Sequence, residues 1–227
     1  MQKAFFGTIG LVLILCGVAA IPANAQMGIA GGVVFSELGD ITAGDHTASL
    51  KRVPGWHVHL WVNLPLGSFS LRPGLRYMDA GRLFDPSNAT GFITTPDPVD
   101  PGGAPDTGFP DATGSVSDDH FVTYIEIPVD VRYQYDRSFI SPYVLVGPVL
   151  RFATDTTNQD RLRTLSMAAA VGVGLEIRLA GLRFYPEVKR AFGISGFTND
   201  EYEFADVVIR PDEQRLDATM VSIGIGF

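Results

Sequence analysis

The chain has 227 residues, with 25 Asp and Glu against 17 Lys and Arg and a formal net charge of −8. An acidic balance without clustered Lys and Arg argues against nucleic acid as a partner, because phosphate binding relies on concentrated positive charge. The single cysteine, Cys16, rules out a disulfide-stapled scaffold.

The chain opens with one basic residue, Lys3, then an apolar run from Ala4 to about Ile21, then Pro22 and the small triplet Ala23-Asn24-Ala25. That order predicts a secretory signal cleaved after Ala25. The run is long enough to span a membrane as a retained helix, but no basic stop-transfer cluster follows it. Leu15 stands before Cys16 where a lipoprotein signal needs a small residue. Residues 26–227 are then one domain without cysteine. No later apolar run suffices for a membrane helix, so a membrane-spanning reading requires a barrel, whose closed ladder also leaves no backbone polar group unpaired in lipid.

Residues 28–35 (GIAGGVVF) form the first strand candidate, although the glycines leave its stability to its neighbours. Residues 37–54 read as a polar loop. Residues 56–64 alternate cleanly: Trp56, Val58, Leu60, Val62 and Leu64 on one face, His57, His59, Trp61 and Asn63 on the other. A tight Pro65-Leu66-Gly67 turn leads into a third strand, 69–77, where Arg72 and Arg76 lie on the polar face. Pro73 lacks a donor, so the ladder must bulge or go unpaired there. Residues 84–118 are too rich in Pro, Gly and Asp for regular structure and read as a mobile external loop.

The clearest period-two signal runs from Phe121 to Phe152. In FVTYIEIPVDVRYQY, the face carrying Ile125, Ile127, Val129, Val131 and Tyr133 is apolar, and the other carries Tyr124, Glu126, Asp130 and Arg132. A DRS turn leads to 139–152, with Tyr143, Leu145, Val149 and Arg151 opposite Val144, Val146 and Leu150. After a shorter polar loop, 153–162, comes 165–179. Its Ala-rich half is compatible with helix, but the VGVGLEIRL alternation decides for strand, with Glu176 and Arg178 on the small-residue face. Ala180-Gly181 turns into 182–192, whose polar face holds Arg183, Tyr185, Glu187 and Lys189. An acidic loop, 193–216, precedes the last strand, 219–227.

Eight strands joined by alternately short and long connections predict an all-β, eight-stranded antiparallel up-and-down transmembrane β-barrel with short periplasmic turns. A soluble up-and-down barrel, apolar inside and charged outside, is geometrically possible too. Nearly unbroken apolar faces, opposite faces mixing charge with Gly and Ala, and Trp56, Phe69, Tyr133 and Tyr135 near strand ends favour the membrane form.

The segments IEIPVDVRYQY, PYVLVGPVLRF, GVGLEIRLAGLRFYPEVKRAFG and VSIGIGF resemble the PorT-like outer-membrane β-barrel proteins of Gram-negative bacteria, over most of residues 26–227. The resemblance implies the outer membrane and a link to the secretion of other proteins, and it carries no catalytic motif. It also implies that the terminal aromatic, Phe227, is the signal offered to the barrel-assembly machinery.

An eight-stranded lumen is just wide enough for side chains to fill. Arg72, Arg76, Glu126, Asp130, Arg132, Arg151, Glu176, Arg178, Glu187 and Lys189 are expected to plug it as a polar network, since buried charges of mixed sign should pair. His57 and His59 share a strand face and have metal-ligand chemistry, but no third ligand is visible near them. His120 with Ser and Glu residues would imitate a hydrolase triad, yet no G-x-S-x-G signature is present. The Asp-rich loops lack the D-x-[DN]-x-[DN]-G calcium pattern, although they could meet lipopolysaccharide through divalent cations. No cofactor motif appears. Three function classes remain: a structural or accessory barrel of the envelope or of protein secretion, an outer-membrane enzyme acting on lipid or peptide, and a soluble periplasmic ligand-binding barrel.

Overall fold

The computed structural model describes residues 25–39, 41–43, 46–50, 52–83, 89–90, 121–135, 139–154, 161–199, 202–204, 207–209 and 214–227. The expected signal segment (all but Ala25), most of loop 84–118, His120 and the DRS turn lie outside the described residues.

Eight long strands form one closed antiparallel barrel: β1 (Gln26–Leu38), β2 (Val53–Leu66), β3 (Phe69–Asp79), β4 (Thr123–Gln134), β5 (Ile140–Ala153), β6 (Leu165–Leu179), β7 (Leu182–Gly193) and β8 (Leu216–Gly226). Each strand pairs with its neighbours in sequence, and β8 closes on β1 from Gly28↔Gly226 to Leu38↔Leu216. The closure leaves no open sheet edge. Followed in register around the wall, Gln26 leads through Asn63, Arg72, Asp130, Gly147, Ala170, Ala191 and Ala218 back to Ser36, ten residues further along β1. A stagger of that size over eight strands fits a tilt of about 40°.

The strands run longer than side-chain alternation indicates. β1 continues through Ser36 and Glu37, and β8 begins at Leu216, because backbone pairing persists past the point where outward side chains cease to be apolar. The turn after β2 falls one residue later than expected, at Gly67-Ser68, where Gly67 has φ +67°. Ala180 (φ +51°) and Gly181 (φ +84°) form the two-residue turn between β6 and β7, with the two positive φ values of a type I′ hairpin. Pro73 leaves the β2–β3 ladder unpaired between Trp61↔Gly74 and Leu64↔Leu71, and the register is the same on both sides, so there is no bulge. Pro148 and Pro186 sit at similar gaps in the β4–β5 and β6–β7 ladders.

Three loops expected to lack strands (37–54, 84–118 and 193–216) contain short ones. Ile41–Ala43 pairs with His46–Leu50, which also pairs with Ala89–Thr90, and Tyr202–Phe204 pairs with Val207–Ile209. Segments of two to five residues are too short for a period to register.

The two faces of the wall are sorted as a membrane barrel requires. Ile127, Val131, Val144, Val146, Val171, Val173, Val188 and Ile223 are exposed on the outside, whereas Glu126, Asp130 and Arg132 are buried within. A soluble barrel needs the reverse. Aromatic side chains mark both rims of the outer belt. Phe69, Tyr133, Tyr135, Phe139 and Phe227 are exposed at the short-turn end, and Phe35, Trp56, Tyr77, Phe121 and Phe192 at the long-loop end. Phe69 packs on Tyr133 at 5.2 Å between ring centres and Trp56 on Tyr77 at 5.5 Å. The rims lie eight residues apart along β3 (Phe69 to Tyr77) and twelve from Phe121, two residues before β4, to Tyr133. At ~3.3 Å per residue and a tilt of about 40°, those spans are about 20 and 30 Å, bracketing a ~25 Å apolar band.

Val173, 58 % exposed at mid-strand on β6, reports on what surrounds this belt. In lipid vesicles Val173→Arg is expected to lower unfolding free energy by about 2–4 kcal/mol in a urea titration. A change within ~0.5 kcal/mol, typical of a water-exposed site, would mean that the belt is not in lipid.

Candidate functional site: the barrel lumen

The inward faces divide the lumen into two layers. The first spans the middle and the short-turn end and is ionic. Arg72, Arg76, Glu126, Asp130, Arg132, Arg151, Glu176, Glu187 and Lys189 are all buried there. Glu126 on β4 accepts from two arginines, Arg76 NH1 of β3 at 2.6 Å and Arg151 Nε of β5 at 2.9 Å. Glu187 on β7 accepts from Arg72 NH1 at 2.6 Å, across the lumen from β3, and from the Tyr143 hydroxyl at 2.9 Å. Lys189 Nζ donates to Asp130 Oδ2 at 2.5 Å, again joining β7 to β4. Glu176 on β6 collects Arg132 NH2 at 2.9 Å and Arg178 Nε at 2.8 Å, with Arg183 NH1 at 3.8 Å.

The aromatic residues of the lumen hold these cations from the side. The Arg72 guanidinium lies 4.2 Å from the Trp61 ring centre and that of Arg132 4.0 Å from Tyr143. A stacked guanidinium keeps its edge free for carboxylates, which an ammonium cannot do, and this accounts for arginine at both positions. Space for the large groups comes from glycine on nearby strands of the wall: Gly28 pairs in register with Trp61 and Gly174 with Tyr143. A Cβ built at Gly28 or Gly224 would strike the Trp61 ring, and one at Gly174 would strike Tyr143.

The second layer, at the long-loop end, is apolar. Val34 and Leu38 of β1, Val53 of β2, Met78 of β3, Tyr124 of β4, Val149 of β5 and Met220 of β8 form one buried cluster with Leu83, Val122, Leu162 and Phe197 from the connections. Phe197 is inserted by the loop after β7. Its N–H donates to Gln214 O at 2.7 Å, its carbonyl accepts from Arg163 N at 2.9 Å, and its ring meets Tyr124 edge-on at 5.6 Å. The Leu162↔Thr198 bridge and the Gln214 Nε2 bond to Gly39 O (3.1 Å) tie three connections across this end. Sequence reasoning missed the layer. The available signals were Leu162 and Phe197 themselves, single apolar residues in polar loops.

The other candidates are placed as follows. Arg178 is at the short-turn mouth, with 38 % of its side chain exposed. His57 and His59 both face the lumen and are buried, but among the described residues no third His, Cys, Asp or Glu joins them. Phe227 is exposed at the short-turn rim, exchanging backbone hydrogen bonds with Met27 at 2.9 and 3.1 Å.

No family model matches the chain, and no curated protein matches it. Several solved structures share its outline at low identity. Neisserial surface protein A is 12 % identical over 88 % of this chain and 95 % of its own, with a TM-score of 0.48. The outer membrane protein OprG of Pseudomonas aeruginosa is 11 % identical over 89 % of this chain and 96 % of its own, with a TM-score of 0.43. The N-terminal β-barrel domain of Pseudomonas aeruginosa OprF is 12 % identical over 90 % and 98 %, with a TM-score of 0.40. The assignment of a closed eight-stranded barrel stands on the chain's own ladder.

Two substitutions test the layers separately. Glu126→Gln removes the carboxylate between two buried guanidinium groups and is expected to cost about 3–5 kcal/mol of unfolding free energy. Phe197→Ala empties the apolar cap and is expected to cost about 3–5 kcal/mol. Urea titrations of the refolded protein measure both, and a loss below ~1 kcal/mol at either site contradicts the role given to that layer.

Proposed function

We propose that this protein is a small, non-enzymatic outer-membrane β-barrel of a Gram-negative bacterium, with a structural or accessory role in the cell envelope or in protein secretion, and that its lumen does not conduct. One observation carries the reading: an apolar belt between two aromatic rims surrounds a closed wall whose charges are turned inward and paired. Only a hydrocarbon surrounding makes that sorting favourable, since in water it would expose the apolar side chains and bury the charges. The burial of the ionic layer and of the apolar cap among the described residues supports a lumen without the wet path that a porin keeps open. The secretion part of the reading rests on the resemblance to PorT-like barrels.

The proposed partners follow from the same placement. The long-loop rim would meet lipopolysaccharide, and Phe227, exposed just after the last strand, would be presented to the barrel-assembly machinery. No cofactor enters the reading.

Cell fractionation tests the location. The protein is expected in the outer-membrane fraction, released by detergent, and to change gel mobility on heating as the closed barrel opens. Recovery in the soluble periplasmic fraction without detergent would overturn the proposal. Deleting Phe227 is expected to reduce the heat-modifiable form severalfold while synthesis continues, and an unchanged yield would remove its role in assembly. Planar bilayer recordings are expected to show no steady open-channel current.

A further inference from the structure

The outer face of the wall is not uniform around its circumference. On β1, β2 and β3 it carries bulky groups such as Ile29, Trp56, Leu60 and Tyr77, whereas on β5, β6 and β7 it carries Val144, Val146, Val171, Val173 and Val188. The smaller side chains border two depressions of about 690 and 620 Å³ on the outside of the barrel. Both are lined by Tyr133, Val144, Val173 and Val188, so they form one shallow groove. Its lining runs four residues along β6, from Val171 to Leu175, and crosses the wall from Tyr133 on β4 to Ile223 on β8. At ~3.3 Å per residue and ~4.8 Å between strands the groove is about 13 Å long and about 19 Å wide, room for several acyl chains side by side.

The two ends of the groove differ. At the short-turn rim the packed rings of Phe69 and Tyr133 close it. At the long-loop end it is lined by Arg190. Alternation along β7 turns Glu187 and Lys189 inward and Val188, Arg190 and Phe192 outward, so Arg190 is a cation on the lipid-facing side. Such a charge is tolerated when its stem lies along the apolar wall and its head reaches the interface. Bonds from NH1 to the Thr219 hydroxyl (2.9 Å) and from NH2 to Asp217 Oδ2 (3.0 Å) hold the guanidinium at the rim, 5.4 Å from the ring centre of Phe192. Among the described residues these bonds use two of its five N–H donors, and 30 % of the side chain stays exposed.

We propose that this groove binds a phosphorylated lipid with several acyl chains, the chemistry of the lipid A part of lipopolysaccharide, with its chains on the valine face and a phosphate monoester on Arg190. A phosphate monoester brings nearly two negative charges and three acceptor oxygens, and it suits a guanidinium better than the single charge of a phosphodiester. Asp217 fixes the guanidinium and offsets part of its charge, so the headgroup contact selects the lipid and the fit of the chains to the groove holds it. A second copy of this chain suits the groove less. A twofold pair in one membrane would bring two Arg190 groups to the same depth, and no carboxylate points outward from β4, β5, β6 or β7 to receive them. The inference rests on the reading that the long-loop rim meets lipopolysaccharide, and it gives that contact a site.

Native mass spectrometry of the refolded protein in nonionic detergent reads the site wherever the cell places the protein. Failure to bind by a protein that fractionates with the outer membrane therefore removes the groove alone. The probes are diphosphoryl lipid A, its dephosphorylated form and phosphatidylglycerol. A one-to-one adduct with lipid A is expected, about tenfold tighter than with either of the others, the scale of one hydrogen bond to a charged group. Arg190→Gln is expected to remove that preference. Val173→Phe, which puts an apolar ring in the groove, is expected to weaken lipid A binding about tenfold while the heat-modifiable gel shift is kept. It is the deciding variant if Arg190→Gln does not fold. Val58→Phe on β2, four strands away across the barrel, is expected to leave binding unchanged. Equal binding of the three lipids, undiminished binding in Val173→Phe, an equal loss in Val58→Phe, or a lipid-free dimer that Val173→Phe dissociates overturns the proposal.

Discussion

The organising constraint of this structure is that a backbone surrounded by hydrocarbon has to satisfy all its own hydrogen bonds. An open sheet cannot do so, because its two edge strands would present unpaired N–H and C=O groups, each costing several kcal/mol. Pairing β8 with β1 removes both edges at once. Closure then dictates the rest. Alternation along each strand sends every second side chain outward, where only apolar groups are tolerated, and the remainder into a lumen with no bulk water to solvate them. The charges inside are therefore a consequence of the wall, and their pairing is a requirement placed on the sequence.

The ionic layer meets that requirement with cross-lumen connections. Arg72–Glu187 and Lys189–Asp130 join β7 to β3 and β4, strands that are not neighbours in the wall. Such pairs act as struts. They add little net stability over an apolar filling of equal volume, but a register shift of one residue would send every partner outward into the belt. The pairing thus penalises misregistered barrels, which the outer belt, with its many similar Val, Ile and Leu residues, does little to exclude.

The two ends of the lumen differ in chemistry. At the long-loop end, Phe197 and Leu162 are drawn in by the connections and complete a dry cluster under the loops. At the short-turn end the turns are too brief to fold inward, so the lumen meets solvent through an arginine-rich mouth. The asymmetry follows from loop length. Only the long connections have the reach to cover the opening, whereas at the short end the side chains of Arg178 and Arg183 stay about a third exposed (38 % and 35 %).

The amino-acid sequence by itself determined the strands and their facing. Alternation in IEIPVDVRYQY or VGVGLEIRL is local, and the side chains on each face, from Glu126 to Arg178, follow from parity alone once a strand is granted. The tight Ala180-Gly181 turn and the ladder gap at Pro73 were legible for the same reason, since φ preference and a missing donor belong to single residues. Only the tertiary structure decided which charge meets which, that Trp61 occupies the space left by Gly28 and Gly224, and that Phe197 seals one end. Those outcomes depend on the stagger that brings Ser36 around to the level of Gln26, and on loops crossing a closed ring. Both are long-range properties of the closed barrel, and a one-dimensional pattern carries no distance across a lumen.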